Sequence, residues 1–329
     1  MSNKDKNRAA LLDIEGLNVG FATRDGVVSA VRDVSFKLYP GETLGIVGES
    51  GCGKSVTALS ILRLIQVPPG RIEARRMNFM GADLTNVPEK QMRDIRGYKI
   101  SMIFQDPMTS LNPVLTVGLQ MREIMKLHLG LEKKALNHRC MELLDMVGIS
   151  APEMRIKAYP HQLSGGMRQR VMIAIGISCN PSILFADEPT TGLDVTIQDQ
   201  ILRLMKSLAE KLDMALVLIT HNFGAVAGTT ERIIVMYAGQ IVETASTESI
   251  FHSPLHPYSK GLLASIPQLH VTEQRRLFSI KGILPSPLNI PVGCGFVSRC
   301  EYADDTCFNT MPKLTEHLPN HYAACWKVK

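Results

Sequence analysis

The run Gly48-Glu49-Ser50-Gly51-Cys52-Gly53-Lys54-Ser55 carries the pattern G-x-x-x-x-G-K-[ST] in full. Glycines at these positions let successive backbone N–H groups converge on phosphate oxygens. A helix starting at the end of the run adds its positive pole. Lys54 can reach the β- and γ-phosphates of a nucleoside triphosphate, and the Ser55 hydroxyl can ligate Mg2+. Cys52 holds a variable place in the loop, so its thiol reads as incidental rather than redox-active.

Further along, Ile183-Leu184-Phe185-Ala186-Asp187-Glu188 is an apolar run ending in two acids. Asp187 is placed to hold Mg2+ through water. Glu188 is placed beyond the γ-phosphate, where it can polarise an attacking water, a contribution of about 10²–10⁴ in rate. Charge stabilisation of the phosphates supplies the rest. Gln105, after the run Ile100–Phe104, can sense the metal or the water, and as a lone Gln reads equally as a loop residue. His221, after Ala215–Thr220, stands where a side chain can reach the γ-phosphate. A second glycine-rich turn, Leu163-Ser164-Gly165-Gly166-Met167-Arg168-Gln169-Arg170, precedes a helical stretch. Its backbone N–H groups at Gly165 and Gly166 suit a phosphate as well.

These residues need elements to hold them. Leu12–Phe21 and Val27–Leu38 alternate as strands around a turn at Arg24-Asp25-Gly26, giving an N-terminal antiparallel sheet. Thr43–Val47 is a short apolar strand, and Val56–Leu64 has helical spacing. That strand–loop–helix order is the context a true phosphate loop requires. Ile100–Phe104, Ile183–Ala186 and Ala215–Thr220 read as buried strands. Residues 107–170 form a helical insert with Gln120–Leu129 and Leu136–Val147 as its clearest helices, and Val171–Ser178 and Gln198–Lys211 continue as helices. Arg232–Ala238 and Gln240–Glu243 read as a hairpin. After about Ile250 long periodic segments end. The boundary near 245–255 divides the chain into residues 1–250 and 251–329.

In this order, Gly48–Ser55, Gln105, Leu163–Gly166, Asp187-Glu188, Gly192-Leu193-Asp194 and His221 resemble the ATPase subunits of ABC transporters. They correspond to that family's Walker A, Q-loop, signature, Walker B with catalytic Glu, D-loop and switch His. The resemblance covers about residues 12–245 and implies an α/β fold. It is a RecA-like P-loop ATPase core with an N-terminal antiparallel β subdomain, a helical insert and a small irregular Cys-containing C-terminal extension. It implies ATP and Mg2+ as ligands. Glu188, His221, Lys54 and Gln105 would be catalytic, and Ser55, Gln105 and Asp187 would lie at the metal. Ser164, Gly165, Gly166 and Asp194 would act in trans, on ATP held by the loop of a second ATPase chain. Phe21 sits where the family places an adenine-stacking aromatic, and it serves equally as a strand core residue. Thr191-Gly192-Leu193-Asp194 stands where Ser-Ala-Leu-Asp is commoner, a small departure.

The C-terminal stretch narrows the resemblance. His256-Pro257-Tyr258, Leu262-Leu263, Ile266-Pro267 and Gly293-Cys294 through Cys300 are similar to the extension of oligopeptide/dipeptide/nickel importer ATPases, over about residues 250–326. This implies a "D"-type subunit paired with a homologous "F"-type ATPase, two transmembrane permeases and an extracytoplasmic solute-binding protein. Its place would be peripheral, on the cytoplasmic face of the cell membrane. Four of the seven cysteines, Cys294, Cys300, Cys307 and Cys325, fall here with spacing C-x5-C-x6-C-x17-C. Four thiolates suit an iron–sulfur cluster or zinc. The C-x2-4-C knuckles usual for structural zinc are absent, and free buried thiols are the third reading. The resemblance implies a [4Fe-4S] cluster.

Composition bounds the alternatives. At 329 residues and a net charge of +5, the chain is long enough for two domains. No run approaches the roughly 18–20 apolar residues of a membrane span. The first ten residues lack the apolar core of a signal peptide, which points to the cytoplasm, where thiols stay reduced. One Trp and no aromatic–basic stripe leave nucleic acid without support. A soluble ABC ATPase working on nucleic acid or ribosomes would be expected to show paired ATPase sets, coiled-coil arms or a basic face. A regulatory subunit that holds ATP without hydrolysis is opposed by Glu188 and His221.

Overall fold

The computed structural model describes residues 9–105, 110–266 and 279–328. The expected start of the helical insert at Pro107 and the Pro267 of the extension pattern lie outside the described residues. The chain divides into two compact units. One comprises Met1–Tyr39, Leu44–Asn86 and Thr220–Lys329, the other Pro40–Thr43 and Val87–Ile219.

In the first unit, Leu12–Thr23 and Gly26–Leu38 pair antiparallel, as their alternation requires. Leu12, Ile14, Val34, Phe36 and Leu38 are buried along them. Three short strands that the sequence reading lacks, Gly70–Glu73, Arg76–Phe79 and Ala82–Asp83, extend this sheet. They are too short for periodicity to reveal. A second ladder carries the phosphate loop. Thr43–Val47 lies parallel to Arg232–Tyr237, which turns back antiparallel into Gln240–Ser246.

The C-terminal extension returns to this ladder. His321–Ala323 pairs with Gln240–Ser246, and Thr315–Leu318 pairs with His321–Ala323. Glu243, fully buried on the hairpin, is the anchor. Its carboxylate accepts from Leu255 N at 2.7 Å, His256 N at 2.9 Å and His321 Nε2 at 2.7 Å. Three donors offset the cost of burying an acid.

In the second unit, Ile100–Ile103, Ile183–Asp187 and Ala215–Thr220 are parallel neighbours in that order. The latter two are buried along their whole length, as parallel strands covered on both faces must be. Helix Val195–Leu212 buries Ile201, Met205 and Leu208 on one stripe. Val117–Leu129 and Lys133–Met146 pack against each other, and Met121, Met125, Leu136 and Leu143 are buried along them. Several helices begin ahead of the expected residues. In two of them Thr116 and Asp194 are the caps, accepting from Leu119 N and Ile197 N, which moves the first helical residues to Val117 and Val195. Among the described residues no helix is long and apolar enough to cross a membrane.

Candidate nucleotide-binding and catalytic site

The phosphate loop leaves the fully buried strand Thr43–Val47 and enters the helix Lys54–Ile61. The helix starts two residues ahead of the expected Val56. Its N-cap is Gly53, at φ 102°. A side chain there would be strained and would also strike the Ala30 carbonyl. Lys54 is 5 % exposed, and its Nζ donates to Gly48 O at 2.8 Å and Glu49 O at 3.0 Å. The ammonium is thus held over the ring of the loop. Ser55, half-buried, is the second residue of the helix. Cys52 is fully buried, and burial pushes its thiol up, so it stays protonated and unreactive.

Glu49 has contacts that local spacing does not reveal. Its carboxylate forms a two-pronged ion pair with Arg299, Nη1 to Oε2 at 2.7 Å and Nη2 to Oε1 at 3.0 Å. Its backbone N–H donates to Tyr258 Oη at 2.8 Å. Phe21 is half-buried on its strand, paired with Val28 and Gly70. Its ring edge lies 3.5 Å from where a Cβ on Gly70 would stand.

In the second unit, Asp187 closes its strand and Glu188 follows at φ 45°. A non-glycine residue in the left-handed region is uncommon, and such strain concentrates at functional sites. Glu188 N donates to Ile219 O at 2.8 Å. Glu188 Oε2 accepts from Gln105 Nε2 and from Thr191 Oγ1, each at 2.9 Å. Gln105 therefore bonds the acid itself. The hydroxyl kept at Thr191, where Ser is commoner, also holds Glu188. Sequence reasoning gave Thr191 no role. His221, exposed, follows the strand Ala215–Thr220 directly.

The second glycine turn opens the helix Gly165–Ile177, with Ser164 as its N-cap accepting from Met167 N at 3.3 Å. Asp194 caps its own helix by accepting from Ile197 N at 3.0 Å. The two turns pack together. A Cβ on Gly166 would stand 3.1 Å from Ile197 Cγ2, and one on Gly165 would be 3.4 Å from Leu193 Cδ2. Gly166 keeps the helix N-terminus close to the Leu193-Asp194 turn, with its first-turn N–H groups facing outward along the axis.

Cys294, Cys300, Cys307 and Cys325 line one small cavity together with His256. The cavity measures about 10 Å3, room for about one water. Burial pushes the Cys294 thiol up to about 11 and raises Cys300 and Cys325 as well. All seven cysteines are free thiols. Among the described residues, no group of three or more His, Cys, Asp or Glu side chains is arranged to hold a metal ion.

A strand–loop–helix with Lys54 over it, an acid pair at a strand end and a capped Ser-Gly-Gly turn together define an ATP-binding cassette. Residues 31–191 match the family model described as ABC transporter. The chain resembles the ATP-binding cassette MJ0796, solved as a dimer in a post-hydrolysis state bound to ADP and Pi. The likeness has a TM-score of 0.63 at 25 % identity, over 72 % of this chain and 98 % of that one. Residues 242–307 match the model for the oligopeptide/dipeptide transporter C-terminal region. The chain is 49 % identical to the oligopeptide transport ATP-binding protein OppD of Bacillus subtilis, over 96 % of this chain and 88 % of that protein. It is 48 % identical to the dipeptide transport ATP-binding protein DppD of Escherichia coli, over 96 % of each. The chain belongs to the family of ATP-binding subunits of oligopeptide and dipeptide ABC transporters.

Proposed function

We propose that this chain hydrolyses ATP to power peptide import, as a peripheral subunit on the cytoplasmic face of the cell membrane. Its partners would be a homologous F-type ATPase, two transmembrane permeases and an extracytoplasmic solute-binding protein. The observation that carries the reading is Glu188, a buried acid held at a strand end by the neutral donors Gln105 and Thr191. A carboxylate fixed at that strand end is placed to take a proton from water.

The roles divide along the chain. In residues 1–250, the ATPase domain of this reading, Gly48–Ser55 grips the phosphates and Phe21 stacks on the base. Ser55, Gln105 and Asp187 would hold Mg2+, which when bound neutralises phosphate charge. Glu188 orients and deprotonates water, and His221 contacts the γ-phosphate. Ser164, Gly165, Gly166 and Asp194 complete the site of the partner ATPase, because a capped helix N-terminus offers N–H groups to an anion. ATP closes the dimer only if it binds the closed state better than the open one. The helical insert at about 107–170 passes that change to the permeases. In the reconstituted transporter, peptide uptake should require ATP and stop with Glu188→Gln. Uptake that survives the substitution contradicts the reading.

For residues 251–329 we propose that Cys294, Cys300, Cys307 and Cys325 ligate a [4Fe-4S] cluster. The donor set supports it, since four thiols share one cavity and soft donors suit iron–sulfur chemistry. His256 adds to the fit. Its Nδ1 accepts from Tyr258 N at 3.0 Å, so the ring proton sits on Nε2. That Nε2 is buried at the cavity with no hydrogen-bond partner. An orphaned donor of this kind suits a thiolate or sulfide acceptor. The thiols do not stand in ligating geometry, so loading requires them to rearrange. Iron, acid-labile sulfide and visible absorption on anaerobically purified protein test this. A colourless, iron-free preparation contradicts it.

A further inference from the structure

We infer that Arg299 and Tyr258, both in the C-terminal extension, are positioning residues of the phosphate loop and set its affinity for ATP. Three groups of Glu49 are engaged at once. Glu49 gives its carboxylate to Arg299, its N–H to Tyr258 and its carbonyl to Lys54. Every polar group of Glu49 is thereby tied. The residue whose carbonyl holds the Lys54 ammonium is itself held by the extension, so the loop segment beside Lys54 is fixed from outside the ATPase motif.

The extension is built to hold that position. The Arg299 side chain is 4 % exposed and its donors are spread over several acceptors. Nε donates to Lys281 O at 2.9 Å, and Nη1 donates to Tyr237 Oη at 3.3 Å as well as to Glu49. A guanidinium fixed on several sides is a rigid fork, which lysine cannot imitate. Tyr258 is fully buried and packs edge-on against Tyr237, with ring centroids 4.6 Å apart. Phe296 closes the group at 5.2 Å from Tyr237 and 5.5 Å from Tyr258. Leu284, from the same extension, lies 3.8 Å from where a Cβ on Gly51 at the loop tip would stand. The loop is therefore braced at both Glu49 and Gly51 by residues far along the chain.

The inference rests on the loop binding ATP, and the experiment separates the two. The KM for ATP and kcat are measured on the assembled transporter carrying Glu49→Gln, Arg299→Gln, both together, Arg299→Lys and Tyr258→Phe. Lys54→Ala serves as the control for the site itself. Glu49→Gln and Arg299→Gln should each raise KM about 10-fold with kcat within about twofold, because a misplaced loop loses binding geometry. The double variant should match the singles, since both remove one interaction. Arg299→Lys should recover only part of the loss. Tyr258→Phe, which keeps the ring and removes only the acceptor, should raise KM about threefold. Unchanged KM in the two Gln variants, or loss of thermal stability alone, overturns the inference. Failure of Lys54→Ala to lower ATP binding overturns the reading of the site as well.

Discussion

Glu49 and Glu188 both sit just past the ends of buried strands in nucleotide-site segments, yet they are held in different ways. Glu49 is paired with a cation, and Arg299 takes both carboxylate oxygens. Glu188 is paired with an amide and a hydroxyl on one oxygen. An arginine fork that takes both oxygens fixes a carboxylate in place. Gln105 and Thr191 hold the Glu188 carboxylate at the strand end where water would be activated. The backbone agrees, for Glu188 carries the positive φ that marks strained functional positions. The chain thus uses one residue type for two jobs. Glu49 fixes geometry, and Glu188 does chemistry.

That contrast can be broken at several places, the largest effect first. In the complex with the partner ATPase, Ser164→Arg should abolish trapping of nucleotide at the partner's phosphate loop, and Lys54→Ala should abolish it at this chain's own. The two together should leave no trapped nucleotide, counted on the closed dimer. If the double variant traps as much as either single one, Ser164 and Lys54 serve the same site and the trans assignment fails. Next, Gln105→Ala combined with Thr191→Val removes two of the bonds that hold Glu188. This should lower kcat about 10-fold, because an acid that is present but unoriented keeps only part of its effect. A rise in KM instead would move these donors to the binding side of the comparison. The smallest effect belongs to Cys52. Burial keeps its thiol protonated, so Cys52→Ser should change kcat/KM by less than about twofold. Intact protein at neutral pH should also resist alkylation at this position, as mapped by mass spectrometry. Rapid labelling of Cys52 contradicts the closed loop.

The sequence showed the two acids unequally. Glu188 is legible because its chemistry is local: an apolar strand that ends in an acid pair within six residues, Ile183 to Glu188. The phosphate loop is legible for the same reason, since backbone N–H geometry dictates glycine and lysine at fixed offsets. The role of Glu49 is not legible. Its partner lies 250 residues away, in a stretch without periodicity, and no spacing rule links them. The short strands Gly70–Glu73 and Arg76–Phe79 are hidden because four residues cannot show a period. The early starts of the helices at Val117 and Val195 were readable. Thr116 and Asp194 are strong N-cap residues, and Asp194 also stands in the D-loop pattern. The pairing of His321–Ala323 with the hairpin was not readable, since an edge strand of three residues depends on the tertiary anchor at Glu243.

The most direct test sets the two acids side by side, with ATP affinity and turnover measured separately for Glu49→Gln and Glu188→Gln in the assembled transporter. Glu188→Gln should keep ATP affinity and lose about 10²–10⁴ in kcat, while Glu49→Gln should weaken affinity and keep kcat. Wild-type turnover in Glu188→Gln, or a kcat loss in Glu49→Gln with affinity intact, would contradict the account.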